Sequence, residues 1–216
     1  MARAERPTEM ESADSRQIEM RPMEVGDSNV IAEWYRQIED VSVFDRQTPV
    51  PVNGIEVTRI VEGIVADQKK EKCYWLIAQD EAGDGVGMIG LEMINQQHGN
   101  AILPLFIAPA WRRSGVGIRM AAMMLDIAFL QLRLHRVGTV YRADNRASDG
   151  LIKRLGFQHE GISRQAWYHQ GNFLDLVNVG LLHSEWKDIR DSLREELDDS
   201  ILVALGSRAT DSWCWP

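Results

Sequence analysis

A chain of 216 residues, 44% of them hydrophobic, suits one domain with a short extension and can bury a sizeable core. Its formal charge of −8, from 24 Lys and Arg against 32 Asp and Glu, excludes a general role on nucleic acid, which needs a basic footprint, and fits a site that attracts cations. Cys73 and Cys214 make no disulfide framework, no apolar run approaches the roughly 20 residues of a membrane span, and the polar N-terminus lacks a secretory stretch, so a cytoplasmic protein with no membrane partner is expected.

Residues 1–17 carry almost no apolar content and read as a disordered tail. Ile18 to Met23 is a short strand candidate. Gly26-Asp27-Ser28 offers helix-start chemistry, and Val30, Ile31, Trp34, Tyr35 and Ile38 follow at helical spacing. Residues 41–53, with Pro49, Pro51 and Asn53, read as a loop, and Ile55 to Lys70 as a second helix. The period then changes to that of strands: Cys73 to Ala78, Val86 to Ile94 and Ala101 to Ala108 form a meander separated by turns. A helix is expected from about Gly115 to Leu134, a strand at Val137 to Tyr141 and a short helix from Ser148 to Leu155. Phe157 to Tyr168 and Phe173 to Leu182 flank Gln170-Gly171-Asn172 as a hairpin, and Trp186 to about Leu205 reads as an amphipathic helix. The order predicts an α/β fold with a central mixed, twisted sheet of six or seven strands and helices on both faces. Residues 18–186 would form the domain and 187–216 a C-terminal helical extension. The Trp213-Cys214-Trp215 end is either an interaction plug or merely exposed.

The strongest local signal is Pro109-Ala110-Trp111-Arg112-Arg113-Ser114-Gly115-Val116-Gly117, between a strand and a long helix. Two glycines let the backbone curl, so that several N–H groups point one way. The helix start adds unpaired N–H groups and the positive end of its dipole, which together suit a pyrophosphate. A glycine-containing turn that happens to open a helix would look the same. Gly85-Val86-Gly87-Met88-Ile89-Gly90 fits a dinucleotide string, but a turn precedes it and a strand follows, so it reads as a hairpin turn entering a strand. The five histidines make no zinc spacing, and no metal is expected.

The loop resembles the R/Q-x-x-G-x-G/A motif of the GNAT N-acetyltransferases. Asn145, Ala147, Ser148, Leu151, Leu155, Gly156 and Phe157 resemble the family's N-x-x-S-x-x-L-x-x-x-L-G-F signature. Glu160-Gly161, Arg164, Gly171, Asp175, Leu181-Leu182 and Glu185-Trp186 are similar to the branch of ribosomal-protein alanine and spermidine acetyltransferases. The resemblance spans about residues 18–186 and implies a transferase moving an acetyl group from acetyl-CoA to a primary amine on a protein N-terminus, a polyamine or another small molecule. It implies coenzyme A contacts from Leu105, Ile107, Arg112, Arg113, Ser114, Gly115, Val116, Gly117, Ile118 and Asn145. It also implies a bulge near Pro104 that parts two strands around the cofactor, and a homodimer.

One departure stands out. Many members place a tyrosine on the short helix as general acid for the leaving thiolate, and here Ile152 occupies that position. Ser148, one turn earlier on the same face, either assists the sulfur or caps the helix. For the base, Glu92 on the strand before the cofactor strand is the candidate, with Asp175, His169 and Tyr168 as alternatives and simple solvation of Glu92 as the plain reading. The missing tyrosine leaves a second class open, a non-catalytic acyl-CoA-binding module.

Overall fold

Side chains alternate along the central strands, and this alternation fixes two layers of helix on one sheet. The computed structural model describes residues 15–45, 48, 50–207 and 213–216. The chain forms β1 (Arg16–Pro22), α1 (Ser28–Trp34), α2 (Ile38–Phe44), α3 (Gly54–Gln68), β2 (Tyr74–Asp80) and β3 (Gly85–Asn95). Then come β4 (Asn100–Ile102), β5 (Leu105–Ile107), α4 (Val116–Asp126), β6 (Arg136–Arg142), α5 (Arg146–Arg154), β7 (Gln158–His169) and β8 (Asn172–Leu182). The order ends with α6 (His183–Glu196), β9 (Ile201–Leu205) and β10 (Cys214–Trp215).

The sheet runs β10-β9-β1-β2-β3-β4-β6-β8-β7, with β5 paired to β3 beside this path. The β4–β6 and β1–β9 pairs are parallel and the others antiparallel. On β2, Trp75 and Ile77 face one way and pack with Met88, Phe106 and the buried Ile31, Trp34, Val57 and Val61 of α1 and α3. Leu76 and Ala78 face the other way, with Ile89 and Leu91, toward α4 and the buried Trp186 of α6. Each large side chain so buried contributes about 1.5–3 kcal/mol.

The mixed α/β sheet with helices on both faces is as expected, but it has ten strands among the described residues rather than six or seven. Two physical causes account for the excess. The expected strand over 101–108 breaks at Leu103-Pro104 into β4 and β5, because proline cannot donate to a ladder. The expected helix over 186–205 stops at Glu196, and Ile201 and Val203 bury with period two in a strand beside β1. Segment 187–216 therefore begins as helix but adds β9 and β10 to the same sheet. Segment 41–53 also differs, since α2 occupies part of the expected loop, with Val41 buried. Of the expected tail, residues 1–14 lie outside the described residues, while Arg16 and Gln17 open β1.

Trp215 is fully buried, so the C-terminal tryptophan plugs its own domain. Its indole N–H and that of Trp186 each donate to the buried Asp126 at 3.0 Å, and Arg190 Nε donates to the same carboxylate at 2.8 Å. With Arg190 Nη2 donating as well at 3.0 Å, four N–H groups satisfy both oxygens of this buried carboxylate. No described helix is long and apolar enough to cross a membrane.

Candidate active site

The break at Leu103-Pro104 opens the sheet. Leu103 N–H still donates to Gly138 O at 2.9 Å, and Thr139 Oγ1 donates to Leu103 O at 2.8 Å. Beyond that point β5 stays with β3, and β6 continues with β8 alone. The register shift that accompanies the split falls opposite β4, between Glu92 and Asn95 of β3, where Met93 takes a positive φ of 51°. Gly90 N–H donates to Pro104 O and Ala108 N–H to Val86 O, so alternate residues of this stretch bond β3. By the same alternation, the N–H and C=O groups of Leu105 and Ile107 point away from β3, into the opening toward β6. An extended amide-bearing chain fits such an edge.

The outer end of β5 leads into the glycine loop. A 3₁₀ turn over Pro109–Trp111 is closed by Ser114, whose Oγ donates to Trp111 O at 2.7 Å and accepts from Val116 N–H at 3.3 Å. Arg113 at φ +63° and Gly115 at φ +90° curl the backbone to the left. Gly115 caps α4, whose first-turn N–H groups, at Gly117 and Ile118, have no intrahelical acceptor. A Cβ on Gly117 would sit 3.3 Å from Ile107 Cγ1, so the glycine lets α4 and β5 approach closely. The helix dipole and free N–H groups suit an anion, and the fit to a pyrophosphate is good. Val116 and Ile118 are buried in the core, so only their backbone can serve a ligand. Arg113 is exposed, whereas Arg112 is held by Ile107 O and Asp40.

Sequence reading missed Arg119. It is 2% exposed and lies directly beneath the loop, with Nη1 donating to Gly115 O at 3.1 Å and Nη2 to the carbonyl and carboxylate of Asp198. Burial lowers its pKa, against the raising effect of Asp198. Helical periodicity marks such a position as core, and nothing local announces a buried cation there.

On α5, Asn145 is the N-cap: its Oδ1 accepts from Ser148 N–H at 3.0 Å. Ser148 therefore lends the cap its backbone, and its half-buried hydroxyl makes no hydrogen bond among the described residues. Asn145 keeps its amide group for another partner. Ile152 is buried in the core.

Glu92 sits on β3 opposite Ile102, at the head of the opening. It shares a side with Met88 and with Gly90, where a Cβ would lie 2.6 Å from Trp75 Cδ2, so it faces α1 to α3. Ser148 rides on α5, on the opposite side of the sheet, with Ile152 and Leu155. The two candidates thus belong to opposite faces of the sheet. Burial raises the Glu92 pKa, an effect offset in part by the nearby indole N–H of Trp75 and reinforced by Asp45. That indole N–H is buried and reaches no partner within hydrogen-bond geometry. Asp45 accepts from Tyr35 Oη at 3.1 Å and Thr48 Oγ1 at 2.7 Å.

The other base candidates serve the hairpin. Asp175 Oδ1 accepts from Gln165 N–H at 2.8 Å across a bulge of β7, and Tyr168 packs edge-on against Phe173 at the tip. His169 closes the same hairpin against Asn172. The glycine string 85–90 lies within β3, where Gly87 makes room for Phe106 O and Gly90 for the Trp75 ring.

Comparison with known proteins agrees with this geometry. The profile of the acetyltransferase (GNAT) domain matches residues 17–158. An uncharacterized N-acetyltransferase of Bacillus subtilis, YoaA, is 32% identical over 108 residues, covering 50% of this chain and 61% of that protein. The spermidine N(1)-acetyltransferase of Escherichia coli is 21% identical over 178 residues, covering 82% of this chain and 91% of that protein. A crystal structure of spermidine N-acetyltransferase from Vibrio cholerae, in complex with CoA and spermine, superposes with a TM-score of 0.72 at 22% identity, covering 79% of this chain and 98% of that one. These relatives carry the names of enzymes and give no support to a non-catalytic module. With the matched profile covering more than half of its length, the chain belongs to the GNAT family of acetyltransferases.

Proposed function

We propose that the protein transfers an acetyl group from acetyl-CoA to the primary amine of a small cationic acceptor of the polyamine type. The observation that carries this reading is the inner edge of β5, which no strand pairs and on which Ile107 O accepts only from Arg112 Nε among the described residues, running from the head of the opening to the N-terminus of α4. The negative charge of the chain, the carboxylates of Glu92 and Asp45, and the two spermidine acetyltransferases above support the choice of acceptor.

Acetyl-CoA supplies an acyl thioester open to attack by a neutral amine. Gly117 and Ile118 would offer backbone N–H groups to its pyrophosphate, with Gly115 curling the loop and Arg112 and Arg113 adding charge. The amides of its arm would pair with Leu105 and Ile107 and with the free amide of Asn145. Ile107 N–H would donate to an oxygen that gains charge, which counts for more inside a desolvated cleft. Glu92 would take a proton from the acceptor ammonium, and its raised pKa makes it a stronger base than an exposed carboxylate. Ser148 Oγ–H would donate to the departing sulfur, whose thiolate is stable enough to need little help. We assign the protein to self-association as a homodimer as well, for which light scattering at high concentration gives the mass.

Thiol release from acetyl-CoA over a panel of amines tests the reading. Turnover with spermidine or spermine is expected. Turnover with free-amine peptides alone would move the acceptor to a protein N-terminus, and none with any amine would return the binding-module alternative.

A further inference from the structure

The short helix α2 is tied to three separate parts of the cleft. At its start, Asp40 Oδ1 pairs with Arg112 Nη2 at 2.5 Å. Two residues on, Ser42 O accepts from the indole N–H of Trp167 on β7 at 3.0 Å. At its end, Phe44 packs edge-on against Phe106 of β5, with ring centroids 5.5 Å apart, and against Trp75. The helix therefore joins the glycine loop, the β7–β8 hairpin and the floor of the site.

Arg112 is the first residue of the loop motif, yet its side chain turns along β5. Nε donates to Ile107 O at 3.1 Å, and the guanidinium lies over the Phe106 ring with its carbon 5.8 Å from the centroid. The Asp40 carboxylate is only 13% exposed, whereas Arg112 is 45% exposed. A guanidinium is a planar fork of five N–H donors. Here Nε and Nη2 are engaged, and Nη1 makes no hydrogen bond among the described residues. Three contacts thus fix the plane of the fork and leave the two N–H groups of Nη1 and one of Nη2 for a further acceptor.

We propose that Asp40 is a positioning residue of the cofactor site, which orients Arg112 toward the loop and thereby makes α2 respond to the cofactor. The proposal rests on the assignment of this loop to the phosphates of coenzyme A. A phosphate oxygen on Nη1 narrows the positions open to the guanidinium, and the pair at Nη2 passes that restriction to Asp40. Coupling of this kind is reciprocal, so a helix held by an acceptor would in turn favour the cofactor. Trp167, bonded to the same helix, carries the restriction to the hairpin that borders the acceptor side.

Hydrogen exchange of residues 38–44, with and without saturating coenzyme A, reads this coupling without an acceptor. In the wild-type chain coenzyme A should slow exchange in α2 by about fivefold or more, the size of a modest coupling. In Asp40→Asn coenzyme A should still bind, weaker by no more than about tenfold, while the slowing in α2 disappears. Asp40→Glu should restore part of it, and Arg112→Met should abolish it. Calorimetry with coenzyme A sets saturation for each variant. Undiminished slowing in Asp40→Asn, or none in the saturated wild type, overturns the proposal alone. A lower melting temperature in Asp40→Asn with slowing intact also overturns it and leaves Asp40 a plain structural contact. A wild-type chain that does not bind coenzyme A overturns the loop assignment together with the proposal.

Discussion

Gly115 carries two separable demands, and alanine tests both. It sits at φ +90°, and a Cβ there would lie 2.7 Å from Arg119 Nη1. Alanine in the left-handed region costs about 1–2 kcal/mol. The guanidinium cannot swing aside freely, because Arg119 is buried and bonded to Gly115 O and Asp198. Losing one hydrogen bond to this charged group costs about 1.5 kcal/mol more. Gly115→Ala should therefore lose about 3 kcal/mol, which for a chain of this size lowers the melting temperature by about 6–12 °C. Gly83 supplies the control: it lies at φ +85° with nothing within 4 Å of a Cβ. Gly83→Ala should show the backbone cost alone, about 1–2 kcal/mol, with coenzyme A affinity unchanged. Coenzyme A affinity of Gly115→Ala should fall about tenfold or more, since displacing the loop costs at least about 1.4 kcal/mol of binding. Thermal melts and calorimetry on both variants decide the matter. Equal losses of stability, with affinity intact in both, would refute the reasoning.

Ser148→Ala should lower turnover by about tenfold to a hundredfold with coenzyme A affinity intact, because a proton donor acts in the transition state; unchanged kcat removes the role. Glu92 has a folded pKa above its unfolded value, so its contribution to stability is present below the unfolded pKa and is lost as pH rises through the folded one. Glu92→Gln should accordingly melt higher than wild type at about pH 8 and equal to it below about pH 4, besides losing activity; a difference constant with pH would count against it. Asp126→Asn removes the charge and one of the two acceptor oxygens shared by Trp186, Trp215 and Arg190, setting an NH2 donor against their N–H groups, and should cost about 3–5 kcal/mol by denaturant unfolding, as breaking a buried ion pair does. A midpoint within error of wild type would contradict that clasp.

Much of the site was legible locally. The glycine loop between a strand and a helix requires only neighbours in the chain, and the cap at Asn145 lies three residues from the N–H it accepts. The hidden parts are those made by distant partners. Asp40 and Arg112 are 72 residues apart, and Arg119 and Asp198 are 79 apart. Neither pair leaves a local pattern. The short α2 escaped because Val41 and Phe44 supply too few apolar positions to distinguish about two turns of helix from a loop beside two prolines. The end of α6 was misplaced because Leu197, Ile201 and Leu202 continue a helical spacing, while the strand period of Ile201 and Val203 is short.

Hydrophobic periodicity, two glycines and a proline sufficed by themselves for the mixed sheet with helices on both faces and for a glycine loop opening a helix, and the family followed from the resemblance of that loop and of the stretch from Asn145 to Phe157 to known motifs, since each is encoded within a few adjacent residues. The tertiary structure alone decided which edge of β5 is free, which faces Glu92 and Ser148 occupy, and that the C-terminal tryptophan closes its own core. Those outcomes depend on sheet register and on charges brought together from opposite ends of the chain, and free energy of that kind is assigned only when the partners meet.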